Sequence, residues 1–170
     1  MTVSHEPVME LVRASLIPVE NKLTPRRDLP ACRVVLRVAR ATELTDGVHP
    51  VHDLAAGAGV AASGLTLWLA KERDMDVKEV LKRMPGTGPD GLVAGMLRTL
   101  LTGPKGMDQA ADWLMELFDR DQDAYLDLIV DLGSYSAVCI EILDRLGVSE
   151  VEQSLEDLEE MLRDYYSPSG

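Results

Sequence analysis

The stretch from Leu54 to Ala70, LAAGAGVAASGLTLWLA, carries no charge over seventeen residues and is dense in Ala and Gly. Nothing else in the chain limits the fold as strongly. An uncharged run of this length is expected to leave water, and its small residues let neighbouring segments come close. Read as a helix, it has two sides. Ala55, Gly59, Ser63, Thr66 and Ala70 repeat at four- and three-residue spacing and make a small-residue side, where another backbone is expected to approach. Leu54, Leu65, Trp68 and Leu69 make a bulky side, and both sides are expected to be buried. Gly57, Gly59 and Gly64 each cost up to about 1 kcal/mol of helix propensity relative to Ala, so packing has to hold the segment helical, and a break near Gly57 to Gly59 stays open. The run also falls short of the roughly 20 residues that a membrane span needs, so it reads as the inner helix of a core.

The remaining apolar positions recur at helical spacing. Val8, Leu11, Val12 and Leu16 follow Pro7 and run to Pro18; Val34, Val35, Val38 and Ala39 belong to a helix over about 29–41 with Asp28 as its cap. Asp76 is placed to cap a short helix from Val77 to Met84, stopped by Pro85-Gly86, and Leu92 to Thr102 forms another, closed by Gly103-Pro104. Thr45-Asp46-Gly47 reads as a turn, and 86–91, GTGPDG, as an exposed loop. Beyond Asp108, one helix carries Leu114, Leu117 and Phe118, a second carries Leu126, Ile129 and Val130, and a third begins at Ser134 or Ser136 and ends at Gly147. Aromatic residues are only 4% of the chain, so Leu, Val, Ala and Met must fill the core, which suits helices packed on helices. The expectation is a single all-α domain over 1–170, with seven or eight helices around the small-residue central one.

Charge divides the chain. Residues 1–107 hold 14 Lys+Arg against 12 Asp+Glu, a balance of +2, and residues 108–170 hold 3 against 17, a balance of −14; together they make the net −12. Asp108, Asp112, Glu116 and Asp119 share one helical face, and Asp123, Asp127 and Asp131 repeat the arrangement on the next helix. Like charges at i, i+4 cost about 0.2–0.5 kcal/mol per pair, so these stripes are mildly unfavourable to their own helices. They serve either to solvate a surface or to bind a partner protein with a basic surface, and the acidic helical part over 108–166 argues against nucleic acid as a partner. Arg33, Arg37 and Arg40 make the main basic stripe, read first as a solvated face or one paired with the acidic helices and, as the alternative, as a phosphate or nucleic-acid contact. Val151, Leu155, Leu158, Leu162 and Tyr165 follow the alternating four-three spacing of a short coiled-coil seam, which either caps its own domain or pairs with a second copy in a homo-oligomer. The first residues, MTVSHEPVMELV, show no basic and apolar leader, and Cys32 and Cys139 form no CxxC pair; reduced core thiols and a cytoplasmic location are expected.

Four motifs bear on chemistry. His49, His52 and Asp53 fall within five residues, and imidazole with carboxylate suits Zn, Fe or Mn. His52-Asp53 resembles the adjacent pair of the HD phosphohydrolases, an all-helical family, and the resemblance implies a divalent metal and a metal-dependent phosphohydrolase. That family also draws a histidine from a preceding helix, and RVVLRVARA has none. Asp53 through Gly59, DLAAGAG, is similar to the first glycine-rich motif of the S-adenosylmethionine-dependent methyltransferases, which would assign Asp76 to the ribose. That motif follows a continuous hydrophobic strand, whereas His49, Pro50 and His52 interrupt the approach here. Asp119-x-Asp121-x-Asp123 begins like an EF-hand loop, but Ala124 stands where Gly is needed and Val130 where the closing Glu is needed, so a linker with a helix cap is expected. Glu116/Asp119 and Glu141/Asp144 resemble the carboxylate steps of all-helical nucleotide pyrophosphohydrolases, although Glu141 and Asp144 fall opposite the apolar face of their helix. No nucleophile set, phosphate loop or zinc spacing is complete. The favoured function is therefore a non-catalytic interaction or regulatory protein that binds a protein partner through its acidic helices. The alternatives are the phosphohydrolase-like metal enzyme and the methyltransferase-like protein.

Overall fold

The two longest helices cross at the centre of the molecule, and the other helices pack around them. The computed structural model describes residues 4–19, 23–44, 47–84, 91–101 and 105–167. Among these there are eight α-helices and no β-strand: α1 (Glu6–Leu16), α2 (Pro30–Ala39), α3 (Pro50–Glu72), α4 (Val77–Arg83), α5 (Leu92–Leu100), α6 (Gly106–Arg120), α7 (Gln122–Arg145) and α8 (Val151–Tyr166). The fold is all-α, and one hydrophobic cluster draws residues from all eight helices. The doubly wound sheet that a methyltransferase requires is absent from the described residues. Gly57 and Gly59 stand inside α3 and not in a strand-to-helix turn, which corrects that alternative.

The charge-free stretch is the interior of α3, unbroken through Gly57 and Gly59. Leu54, Ala55, Gly59, Leu65, Thr66, Leu69 and Ala70 are buried, whereas Ser63 and Trp68 are only partly so, and both sides are thus mostly enclosed. The small-residue side works differently from the expectation, however. A pair of large side chains fills its notch, with Met96 and Leu100 over Gly59, and the glycines on the other side of α3 are filled in the same way, with Tyr166 and Val8 over Gly57 and Met161 over Gly64. A glycine notch accepts a tyrosine or methionine because the absent Cβ leaves room for side-chain atoms, and in a chain poor in aromatics those bulky groups have to go somewhere. With its polar flanks α3 reaches 23 residues, long and apolar enough to cross a membrane by length and composition, while 61% of its apolar window is buried within the protein.

Helix α7 corrects a second expectation. The acidic helix and the one expected to begin at Ser134 or Ser136 are one continuous helix of 24 residues. Gly133 does not break it, because Leu11 of α1 packs directly over that glycine and rewards the helical path. Tyr125, Ile129, Leu132, Cys139, Ile140 and Leu143 line its fully buried face. Inside the contact between α3 and α7, Thr66 Oγ1 and the Tyr135 hydroxyl lie 2.6 Å apart, and the Thr66 hydroxyl also reaches the Ala62 carbonyl at 2.7 Å. Such a buried polar pair fixes the register of two apolar helices.

Local signals held at several ends. Asp76 caps α4 by accepting from the Lys78 amide at 3.3 Å, and Asp121 caps α7 by accepting from the Ala124 amide at 3.1 Å, so the EF-hand-like run is a linker with a cap. Gly147 ends α7 at φ +72, a left-handed conformation that glycine adopts without strain. Asp28 instead belongs to a 3-10 turn, Arg26–Asp28, and Leu29 stands at the N-cap of α2, with Pro30 opening the helix. Cys32 is partly buried and Cys139 fully buried, both as free thiols. Thr45-Asp46, the Pro85-Gly86 stop with the loop after it, and Gly103-Pro104 lie outside the described residues.

Helix α8 decides the fate of the seam. Leu155, Leu158 and Leu162 are 2%, 3% and 0% exposed because they face the protein's own core, against α3 and α7. Of the two readings of this spacing, the three leucines follow the one in which the helix caps its own domain, and they are not free to form a seam with a second copy. Val151 is partly buried, and Tyr165 is 40% exposed at the rim of a cleft described below.

Candidate functional site

The start of α3 carries all three residues of the expected metal cluster, and their geometry assigns them different tasks. His49 is the N-cap: its Nδ1 accepts the Val51 amide at 3.1 Å, and its Nε2 lies 2.9 Å from the Ala41 carbonyl. An acceptor at Nδ1 and a carbonyl at Nε2 require the neutral ring with the proton on Nε2, so both nitrogens are occupied. His52, one turn on, lies edge-on to the His49 ring at 6.2 Å between centroids and turns its Nδ1 to the Tyr125 hydroxyl of α7, 2.8 Å away. Asp53 sits in the first turn of α3, where the helix dipole favours a carboxylate, and its backbone carbonyl accepts a hydrogen bond from the Tyr166 hydroxyl at 2.7 Å. Among the described residues no group of three or more His, Cys, Asp or Glu is arranged to hold a metal ion. The expected metal site at His49, His52 and Asp53 is therefore corrected. The two imidazoles do lie near each other in their edge contact, but both His49 nitrogens and His52 Nδ1 are committed to other partners, so no common ligand position forms.

His52 belongs to a different assembly. Its ring packs edge-on against Phe118 at 4.8 Å between centroids, and Phe118 packs on Tyr125 at 5.2 Å. His52 and Tyr125, with Phe118 packed against both, form one wall of a cleft of about 190 Å³ between the start of α3 and helices α5 and α6. Ala56, Met96, Leu100, Leu114, Met107 and Met115 supply most of the remaining lining, and Tyr165 closes the rim. An apolar cleft with one convergent pair of polar groups is a binding geometry. Burial, with His49 as a second cause, holds the His52 imidazole below its ordinary value of 6.5, and burial drives the Tyr125 phenol well above its usual range. The pair is thus neutral at pH 7, able to offer one hydrogen bond within a surface of methionine and aromatic groups.

Neutral His52 has a consequence for stability. The unfolded chain takes up a proton at this position before the folded protein does, so the contribution is fully present above the unfolded value of 6.5 and is lost as pH falls below it. Thermal unfolding followed by circular dichroism is expected to show a larger fall in midpoint between about pH 7.5 and 5.5 for the natural chain than for a His52→Gln variant. Equal falls in both would show that His52 does not titrate in this way.

The acidic residues of both stripes are exposed to solvent. Asp108, Asp112, Glu116 and Asp119 on α6 are exposed, as are Asp123, Asp127 and Asp131 on α7. Part of this surface is already engaged within the chain, since Arg26 meets Asp127 at 3.3 Å and Asp131 at 2.7 Å. Asp108, Asp112 and Glu116 have no ion pair among the described residues. Beside them, Met107, Ala111 and Met115 repeat at i, i+4, i+8 on the exposed side of α6 and run straight into the cleft. Glu116/Asp119 and Glu141/Asp144 stand on separate helices and form no shared carboxylate site among the described residues.

Tyr125, Phe118, Met107 and Met115 did not emerge as site residues from the sequence. The methionine repeat was visible as a second stripe beside the acidic one, but a methionine at helical spacing reads first as core. The partnership of His52 with Tyr125 spans 73 residues, and no local pattern encodes it. Comparison of the chain with protein-family models, with curated proteins and with solved structures finds no match to any of them.

Proposed function

We propose that the protein is a non-catalytic interaction protein whose α6 surface and adjoining cleft receive a basic, amphipathic segment of a partner protein. The observation that carries this reading is the parallel placement of two stripes on α6: Met107, Ala111 and Met115 are exposed, and Asp108, Asp112 and Glu116 flank them one position on. Methionine surfaces adapt to varied apolar anchors. A helix that lays an apolar face into such a groove with lysines or arginines along its edge would satisfy both stripes at once. The carboxylates would raise the association rate and select against acidic partners, while the cleft beside His52 would hold an anchor side chain. The C-terminal charge of −14 supplies the field that draws a basic segment to this side of the molecule.

The test uses two synthetic amphipathic helices with the same leucine pattern, one with lysine and one with glutamate at its polar positions. Binding is followed by the fluorescence of Trp113, partly buried on α6. The lysine peptide is expected to bind saturably, more weakly at high salt, and at least about tenfold less tightly to a Met107→Asp/Met115→Asp variant and to an Asp112→Lys/Glu116→Lys variant. All four residues are exposed, so these variants should fold. Equal binding of the glutamate peptide, or lysine-peptide binding that neither variant weakens, would overturn the reading.

A further inference from the structure

The strongest positive feature lies on another surface and does not depend on the α6 reading. Arg27, Arg33, Arg37 and Arg40 surround one open depression of about 430 Å³, with Leu36 in its floor and Asp28 at its rim. Arg33, Arg37 and Arg40 share one face of α2 through their i, i+4, i+7 spacing, and Arg27 reaches the same hollow from the turn before the helix. That turn is held in place: Arg26 binds Asp127 and Asp131 on α7. Arg37 pairs with Glu10 of α1, whereas the guanidinium groups of Arg27, Arg33 and Arg40 have no ion pair or hydrogen bond among the described residues. Four guanidinium groups less two carboxylates, Asp28 and Glu10, leave the hollow at +2. Of the two first readings of this stripe, pairing with the acidic helices is not found among the described residues, and the three arginines are solvent-exposed.

We propose that this depression binds the phosphate group of a small phosphomonoester. A phosphomonoester carries about −1.5 to −2 charges at pH 7, which matches the local excess, and the planar guanidinium fork fits phosphate oxygens two at a time. Leu36 and the aliphatic stems of the arginines give the body of the ligand an apolar surface. The net −12 of the chain does not oppose this, because its acidic excess lies in residues 108–170 and charges beyond about 8 Å are largely screened at physiological ionic strength. An acidic helix from another protein would present its carboxylates along a line. Arg27, approaching from the turn, makes the array a cup, and a compact dianion fits a cup better.

Calorimetric titration with phenyl phosphate, inorganic phosphate and benzoate at low ionic strength tests the assignment. Phenyl phosphate is expected to bind saturably and at least about tenfold more tightly than benzoate, which has the apolar body with a single charge. An Arg33→Gln/Arg40→Gln variant should lose at least about tenfold in that affinity, while Arg145→Gln/Arg163→Gln, on α7 and α8, should leave it unchanged; thermal unfolding of each variant checks that the fold is kept. Absence of saturable phosphate binding would overturn the proposal. So would equal affinity in the Arg33/Arg40 variant, or capture of a polyglutamate peptide without any phosphate binding.

Discussion

Substituting Gly133 by alanine is expected to lower the free energy of unfolding by about 1–3 kcal/mol, measured by urea denaturation, although alanine is the better helix former. A methyl group at Gly133 would sit 2.7 Å from Cγ and 2.9 Å from Cδ1 of Leu11, and 2.9 Å from Oγ of Ser15. Leu11 is fully buried, and the atom met first is its branch point, which cannot swing aside without displacing α1 from α7. The propensity gain of up to about 1 kcal/mol is smaller than the overpacking cost. Gly59 makes the contrasting case. There a methyl group meets the terminal Cε of Met96, the end of a flexible side chain, and next Leu100 Cδ1 at 3.1 Å. Gly59→Ala is therefore expected to be close to neutral, because methionine repacks readily. Gly59→Leu, which must also displace Leu100, should cost about 1–3 kcal/mol. Equal losses for the two alanine variants would show that the crossing of α1 and α7 is not as tight as its geometry implies.

Truncating Tyr166 to alanine is expected to cost about 2–4 kcal/mol, within the range for removing a large aromatic group, with a discount for its partial exposure. The ring fills the notch over Gly57, and the hydroxyl donates to the Asp53 carbonyl at 2.7 Å, so the end of α8 is fastened to the first turns of α3. Tyr166→Phe keeps the ring and loses one hydrogen bond, for an expected cost of about 1 kcal/mol. Gly57→Ala should be destabilising as well, because a methyl group there would overlap the Tyr166 hydroxyl and approach Cγ2 of Val8 at 2.6 Å. Because the two residues share one notch, the loss in the Gly57→Ala/Tyr166→Ala double variant should fall short of the sum of the single losses. Additive losses would mean that the contact does not couple the two helices. Tyr165 lies beside this fastening and at the rim of the His52 cleft, so loosening α8 is also expected to reduce lysine-peptide binding.

Much of the architecture was legible along the chain because its causes are local. Apolar residues at helical spacing located α1, α4, α5, α6 and α8, and the cap at Asp76 marked the start of α4 through a side-chain bond only two residues long. The site was legible only in part. His52 stood out as a titratable group beside an uncharged helix, but its supposed companions were chosen for nearness in sequence. His49 is consumed as a cap and Asp53 lies further round the helix, while the partners that matter, Tyr125 and Phe118, come from α7 and the end of α6.

The sequence by itself determined the all-α class, the burial of most of Leu54 to Ala70, with Leu67 left exposed, and the division of charge, since periodicity, hydropathy and formal charge belong to the residues wherever they are placed. Only the tertiary structure decided what fills the glycine notches of α3, that 122–145 runs as one helix, that the α8 leucines face their own core, and that Arg27 joins Arg33, Arg37 and Arg40 around one hollow. Each of those outcomes depends on a contact between segments far apart in the chain, as between Leu11 and Gly133 or Tyr166 and Gly57. Close packing allows few such contacts to coexist, and which ones survive is a property of the whole core and not of any window of sequence.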